Sequence, residues 1–147
     1  MNDDRLAELV QTAFHFAYEA DADGVATCLE EIGASGDPFD MYKACCGFAA
    51  IGHAALTKIY GNRAPDRDRG DMFYIEELQP GSLTDDPPKA FAARFLIAYC
   101  NDDKDTTPAL WRAAVEAGGV QYVDSVCHLV ADVAGLARLA LEKGADR

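Results

Sequence analysis

The sequence predicts an all-α protein of about six helices, arranged as two similar halves of three helices each. Apolar residues recur at helical spacings of three and four along most of the chain. Residues of the first half also recur in the second at one constant offset of 81 positions. In the first half the matched residues are Phe14, Ala17, Tyr18, Asp21, Leu29, Cys46 and Ala50. Their counterparts in the second half, in the same order, are Phe95, Ala98, Tyr99, Asp102, Leu110, Cys127 and Ala131.

This repeat predicts one helical domain over residues 1–147. The first half covers about 4–60, a connecting loop covers 61–85, and the second half covers about 86–144. If the two halves are packed in the same way, Tyr18 and Tyr99 occupy equivalent buried positions.

The first two helices follow from apolar spacing and turn residues. The first is predicted over 4–20, where the apolar side chains share one helical face. A shorter second helix lies between the Asp21–Gly24 turn and the glycines of residues 33–36.

The third helix is predicted from Asp37-Pro38 to Ile59 or Tyr60. Aspartate can accept hydrogen bonds from the unpaired amides of a first helical turn, and proline loses none there. The middle of the helix, Ala44–Leu56, is small and apolar nearly all round. We therefore expect it at the centre of the core.

The connecting segment is predicted as a loop with one short strand. Residues Gly61–Asp71 have no apolar periodicity and should be solvated. Aromatic and β-branched residues dominate Met72–Leu78, which favours an extended strand that ends at the Pro80-Gly81 turn. A strand without a partner in its own chain could pair with its copy in a homodimer.

The second half repeats the plan of the first. Its first helix starts at residues 86–88, with Asp86 as the cap. Thr107-Pro108 begins the next helix, Ala109–Ala117, which Gly118-Gly119 ends. The last helix is predicted over 122–143. Its apolar stripe consists of Val123, Val126, Leu129, Val130, Val133, Leu136 and Leu141.

Composition favours a soluble, acidic, cytoplasmic protein. The formal net charge is −12 and the isoelectric point is near 4.4. Nucleic-acid binding depends on Lys and Arg, so it is not expected here. The chain starts without the segments of a signal peptide, and charges interrupt each apolar run before it could cross a bilayer. The charge serves solubility or steers a basic partner.

Residues 19–30 follow the pattern of an EF-hand calcium loop, with alternating carboxylates, a central glycine and a final glutamate. The candidate ligands are Glu19, Asp21, Asp23, Thr27 and Glu30. The pattern departs from an EF-hand at Glu19, where Asp is required, and at Ala26, where a branched apolar residue is usual. The equivalent stretch 100–111 lacks the glutamate. The alternative is a turn in which Asp21 or Asp23 caps the second helix.

Sulfur and imidazole groups offer a second metal hypothesis. Cys45 and Cys46 lie near His53 in sequence, and Cys127-His128 occupies the matching place in the second half. A zinc site of Cys46, His53, Cys127 and His128 would require the two halves to converge, since no pair shows the close spacing of zinc ligands. The alternative is that the five cysteines are free, buried and inert.

No set of residues amounts to a catalytic signature. Ser125 and His128 are helical neighbours without the strained turn that exposes a nucleophilic serine. We therefore predict an interaction or regulatory protein that binds a protein partner or itself, without a cofactor. The second hypothesis is a small-ligand or metal-binding domain whose site lies between the halves, and an enzyme is the third. The residues that would line the ligand site of the second hypothesis are Tyr18, Tyr99, Trp111 and Tyr122.

Overall fold

The structure, a computed structural model, describes residues 1–73 and 85–145. These residues form six α-helices and, after the third, two single turns of 3-10 helix at Gly61–Arg63 and Arg67–Arg69. The α-helices are α1 Asp3–Tyr18, α2 Ala22–Gly33, α3 Phe39–Tyr60, α4 Pro87–Cys100, α5 Thr106–Ala117 and α6 Gly119–Ala145. The predicted all-α class is confirmed.

The strand expected over Met72–Leu78 is not confirmed. Met72 and Phe73 are neither helix nor strand, and residues 74–78 lie outside the described residues, as does the predicted turn at Pro80-Gly81. Phe73 is held by the side chain of Asn101 at the end of α4. Its N–H donates to Asn101 Oδ1 at 2.7 Å, and its carbonyl accepts from Asn101 Nδ2 at 2.8 Å.

Aspartate caps start the helices close to where the sequence placed them. Asp21 accepts a hydrogen bond from the Gly24 amide at 3.0 Å, and Asp86 accepts one from the Lys89 amide at 3.2 Å. Each cap satisfies an amide that has no partner within the helix. The largest boundary errors concern α5 and α6, which begin at Thr106 and Gly119, each three residues before the predicted start.

Helices α3 and α6 pack along each other at the centre. Helix α1 contacts α2, α3 and α6, while α4 contacts α5, α6 and α3. Exchanging α1 with α4, α2 with α5 and α3 with α6 leaves this set of contacts unchanged. The core has buried residues of all six helices, and its largest fully buried apolar side chains are Phe48, Phe95, Ile32, Leu129, Val130 and Val133.

The turns that follow α1 and α4 have the same backbone geometry. Ala20 and Asp102 both have positive φ, +60° and +54°, and are the only non-glycine residues in the described ranges that do. The next residue in each turn, Asp21 and Asp103, accepts a hydrogen bond from an amide three residues later. These positions differ by 82 (103 − 21), whereas the sequence comparison gave 81.

Burial patterns place the change of offset between the second and third helices of the two halves. Buried residues of α3 match buried residues of α6 at an offset of 81. The pairs are Ala44 with Ser125, Cys45 with Val126, Phe48 with Leu129, Ala49 with Val130, and, at the next turn, the buried Gly52 with Val133. Tyr18 and Tyr99 immediately precede the turns that match at an offset of 82, so their predicted equivalence at 81 is not confirmed. Both are half-buried, contrary to expectation.

The apolar stripe predicted on α6 is partly wrong. Its central residues are buried, but Val123 and Leu141 are 55% and 54% exposed. The spacing rule identifies a shared helical face but does not show how far neighbouring helices extend along it. Near Val123, α6 borders an open groove rather than a packed neighbour.

Gly52 is required where α3 meets α4 and α6. A Cβ atom there would lie 2.8 Å from Leu96 Cδ1 and 3.1 Å from Val133 Cγ2. Replacing Gly52 with Ala should therefore destabilise the fold by about 1 kcal/mol, since overpacking outweighs the gain in helix propensity. Gly135, also helical, has nothing within 4 Å of its Cβ position. Gly135→Ala should stabilise by about 0.5–1 kcal/mol. Urea unfolding of both variants checks the contrast, and equal effects would contradict it.

Asp40 is a buried carboxylate in the first turn of α3, only 1% exposed. It accepts a hydrogen bond from Ser35 Oγ at 2.7 Å and lies 3.5 Å from the Met1 amino group. The Ser35 hydrogen bond lowers the pKa of Asp40, burial opposes this shift, and the Met1 charge adds to it. A lowered pKa means that Asp40 stabilises the fold above its unfolded pKa, near 3.9, and that this contribution is lost as pH falls through the folded pKa.

Asp40→Asn should therefore be less stable than the unmodified protein at pH 7. It should also lose less stability between pH 5 and pH 2. Urea unfolding over this pH range measures both effects. The exposed Glu116→Gln variant serves as the control for removing one negative charge. If the stability of Asp40→Asn falls between pH 5 and pH 2 as steeply as that of the unmodified protein, the role assigned to Asp40 is contradicted.

Candidate functional site

The calcium-loop pattern at residues 19–30 is a helix start in the structure. Helix α2 begins at Ala22, so most of the stretch is helical rather than a loop. Asp21 caps the helix, while Asp23 and Glu30 are exposed along it. The alternative interpretation, with Asp21 as a cap, accounts for this geometry.

Gly24, the glycine of the calcium pattern, has a packing role. A Cβ atom at this position would overlap the ring of Phe16, which lies against the first turn of α2. Glycine at this place therefore lets an aromatic ring of α1 cover the helix start. The sequence motif and this packing need the same residue type, which is why the sequence could not separate them.

The structure does not bring the four candidate zinc ligands together. His53 contacts Phe73, with ring centroids 5.8 Å apart, and His128 Nε2 lies 3.5 Å from Asp132 Oδ1 on its own helix. Within residues 1–73 and 85–145, no three His, Cys, Asp or Glu side chains are placed to hold a metal ion. Cys46 and Cys127 are half-buried free thiols, and burial raises the pKa of both.

The other cysteines and Ser125 are poorly suited to nucleophilic chemistry. Cys45 is fully buried and Cys100 nearly so, and burial raises the pKa of Cys100 to about 12. A thiol with a raised pKa is not a thiolate at neutral pH. Ser125 is buried and donates its hydroxyl hydrogen to the Gln121 carbonyl at 2.8 Å, while His128 pairs with Asp132.

The four aromatic residues suggested as the lining of one ligand site occupy three different places, since Trp111 and Tyr122 contact each other. Trp111 donates its indole N–H to the Tyr122 hydroxyl at 3.1 Å. Tyr18 lies under the guanidinium of Arg138, 5.3 Å from the ring centroid. Tyr99 lines a small polar cleft of about 150 Å³. They do not form a common site between the halves.

An apolar groove lies between α2 and the first turns of α6, and we refer to it as the α2–α6 groove. Its volume is about 280 Å³, and Met41 of α3 also lines it. The walls are Ala26, Leu29 and Glu30 on α2 and Tyr122, Val123 and Val126 on α6. Leu29 and Val126 are buried and form the floor. The rim is open at Val123, which is 55% exposed. Val120, one turn earlier on α6, is 77% exposed and lies outside the lining residues.

The surroundings of the α2–α6 groove are acidic. Helix α2 contains Asp23, Glu30 and Glu31 and no Lys or Arg. The first nine residues of α6, 119–127, contain Asp124 and no cation. Of these four acids, Glu31 is neutralised by Arg5 at 2.6 Å. The groove therefore combines an apolar floor with a negative rim. Sequence reasoning missed it because Val123 had been assigned to the core.

Comparisons with known protein families, with curated proteins and with solved structures found no match to this chain. Within the residues that the structure describes, no helix combines the length and apolar character needed to cross a membrane.

The capping role of Asp21 predicts how variants respond to calcium. Asp21→Ala should lower stability by about 1 kcal/mol because the Gly24 amide loses its acceptor, and Asp21→Asn should cost only a few tenths. Thermal unfolding in EDTA and in millimolar calcium chloride measures both. We expect calcium to leave the melting temperature of all three proteins unchanged. A rise that is lost in Asp21→Asn or Glu30→Gln would support a calcium site instead.

Proposed function

We propose that this chain is a protein-interaction module whose α2–α6 groove binds an amphipathic, positively charged helix of a protein partner. The observation that carries the proposal is an apolar groove that has the exposed Val123 and the acidic Glu30 among its lining residues, between an α2 without Lys or Arg and a first part of α6 without a cation. Amphipathic helices commonly bind in apolar grooves of this kind through side chains three and four residues apart. A cytoplasmic location remains part of the same proposal.

Apolar burial would supply most of the affinity. Covering a largely exposed valine contributes up to about 1.5 kcal/mol, and Val120 and Val123 lie on successive turns of α6. Lys or Arg residues flanking the apolar face of the partner would lie near Asp23, Glu30 and Asp124. Such charges at an interface rim increase the association rate and exclude acidic partners more than they add affinity.

A second copy of this chain fits the groove less well than a basic partner does. Each copy carries a formal charge of −12, so self-association would bring two acidic surfaces together. The homodimer considered from the sequence depended on Met72–Leu78, most of which lies outside the described residues. A homodimer is therefore one of the outcomes that the experiment must distinguish.

We further propose that the two halves are copies of one three-helix unit, related by a pseudo-two-fold axis. Support comes from the exchangeable set of helix contacts and from the shared turn geometry at Ala20 and Asp102. In this arrangement Trp111 takes the place of Leu29 (111 − 29 = 82). The indole and its neighbours Tyr42 and Phe39 would then fill the counterpart of the groove. Only the first half would keep an open groove.

Site-specific crosslinking tests the interaction proposal. A photoreactive phenylalanine analogue at position 123 should crosslink a partner in cells, whereas the same analogue at position 141 should not. Val123 and Leu141 are equally exposed and lie on the same helix, so they form a matched pair. The crosslinked partner segment, identified by mass spectrometry, should be an amphipathic helix rich in Lys or Arg.

A synthetic peptide of the captured segment then tests the charge argument. Its affinity should fall at least tenfold for Glu30→Lys and also between 50 mM and 500 mM salt. Crosslinking to a second copy of this chain, to an acidic segment, or equally from positions 123 and 141 would contradict the proposal. Failure to crosslink anything from position 123 would also contradict it.

A further inference from the structure

A second cavity, which we name the α4–α5 pocket, lies between α4, α5 and the start of α6. Its volume is about 260 Å³. Ala90 and Phe91 of α4 and Leu110 and Ala113 of α5 provide apolar walls. Arg94, Gln121 and Ser125 provide the polar groups, and the Ser125 hydroxyl donates to the Gln121 carbonyl at 2.8 Å. The pocket is separate from the α2–α6 groove, with which it shares no lining residue.

The pocket is open because short side chains occupy three of its positions. In the first half, Arg5 binds Glu31 at 2.6 Å and Glu8 at 3.1 Å, so long charged side chains bridge α1 and α2. At the offset of 82 these positions become Pro87, Ala113 and Ala90. The second half therefore has no pair of long charged side chains that bridges its first two helices at these positions.

The charge of the pocket is opposite to that of the whole protein. Arg94 lines the pocket and makes no ion pair with any residue in the described ranges, although acidic residues outnumber basic ones by 25 to 13. Helix α4 contains Lys89 and Arg94 and no acid, and α5 adds Arg112 against a single Glu116. An unpaired guanidinium at the wall of a pocket is a ready partner for a carboxylate.

We propose that the α4–α5 pocket binds a small monocarboxylate that carries a short apolar group. The carboxylate pairs with Arg94, and the Gln121 amide offers a further donor. The apolar group contacts Ala90, Leu110 and Ala113. Pockets for drug-sized ligands span about 300–1,000 Å³, so this volume suits a smaller molecule. One cation and mostly apolar walls favour a single negative charge over a phosphate dianion.

An NMR titration of the full chain with hexanoate tests the site, with hexanamide as the uncharged probe of the same shape. Hexanoate should shift the Gln121 side-chain amide and the Ala113 methyl signals in a saturable manner. Hexanamide should bind at least tenfold more weakly, because it lacks the charge that pairs with Arg94. Absence of saturable shifts with hexanoate, or equal affinity for the two probes, would overturn the proposal.

Two variants and a control locate the interaction. Arg94→Gln should weaken hexanoate binding at least tenfold and leave hexanamide unchanged. Arg112→Gln removes the same charge from an exposed residue of α5 outside the lining and should change hexanoate affinity less than twofold. Ala113→Leu should fill the pocket and abolish binding of both probes, which keeps the test decisive if Arg94→Gln fails to fold. Unchanged hexanoate binding in both pocket variants would also overturn the proposal.

Discussion

The close contact of α3 with α6 and α4 determines the rest of the structure. At Gly52 the α3 backbone comes so near that an added Cβ would lie 2.8 Å from Leu96 and 3.1 Å from Val133. The pairs α1–α2 and α4–α5 both contact this central pair, with α2 against α3 and α5 against α6. The first turns of α6 therefore serve two surfaces, since Val123 lines the α2–α6 groove while Gln121 lines the α4–α5 pocket.

Under the proposed repeat, several matched positions of the two halves carry side chains of different length. Where Arg5 and Glu31 bridge the first two helices, the second half has proline and alanine and leaves a pocket. Where Leu29 leaves a groove in the first half, Trp111 stands in the second. In this proposal, different side chains on one arrangement of helices produce two dissimilar surfaces, while the same pairs of helices stay in contact. Because interiors tolerate few voids, an unfilled place on such a scaffold suggests a binding surface.

The parts of the fold that depend on local chemistry were predictable from the sequence. Asp21 and Asp86 start helices through hydrogen bonds to amides three residues later, so sequence spacing alone located them. The predicted equivalence of Tyr18 and Tyr99 is not confirmed. The turns after α1 and α4 match at an offset of 82, whereas the buried positions of α3 and α6 match at 81, and the sequence comparison used one offset throughout. The α4–α5 pocket could not be predicted from the sequence either. It lies where the second half has shorter side chains than the first half has at the matched positions.

The net charge of the chain does not determine the charge preference of each of its surfaces. A net charge of −12 argues against binding of polyanions, which contact many residues at once. It does not determine the potential at one pocket, because at physiological salt the interaction between exposed charges is largely screened beyond about 8 Å. The charges near Arg94 therefore affect the potential at the pocket more than the net charge of the chain does. Helix α4 contributes two cations and no acid. Segregation of acids near α2 and cations on α4 lets one small protein present surfaces of opposite charge preference.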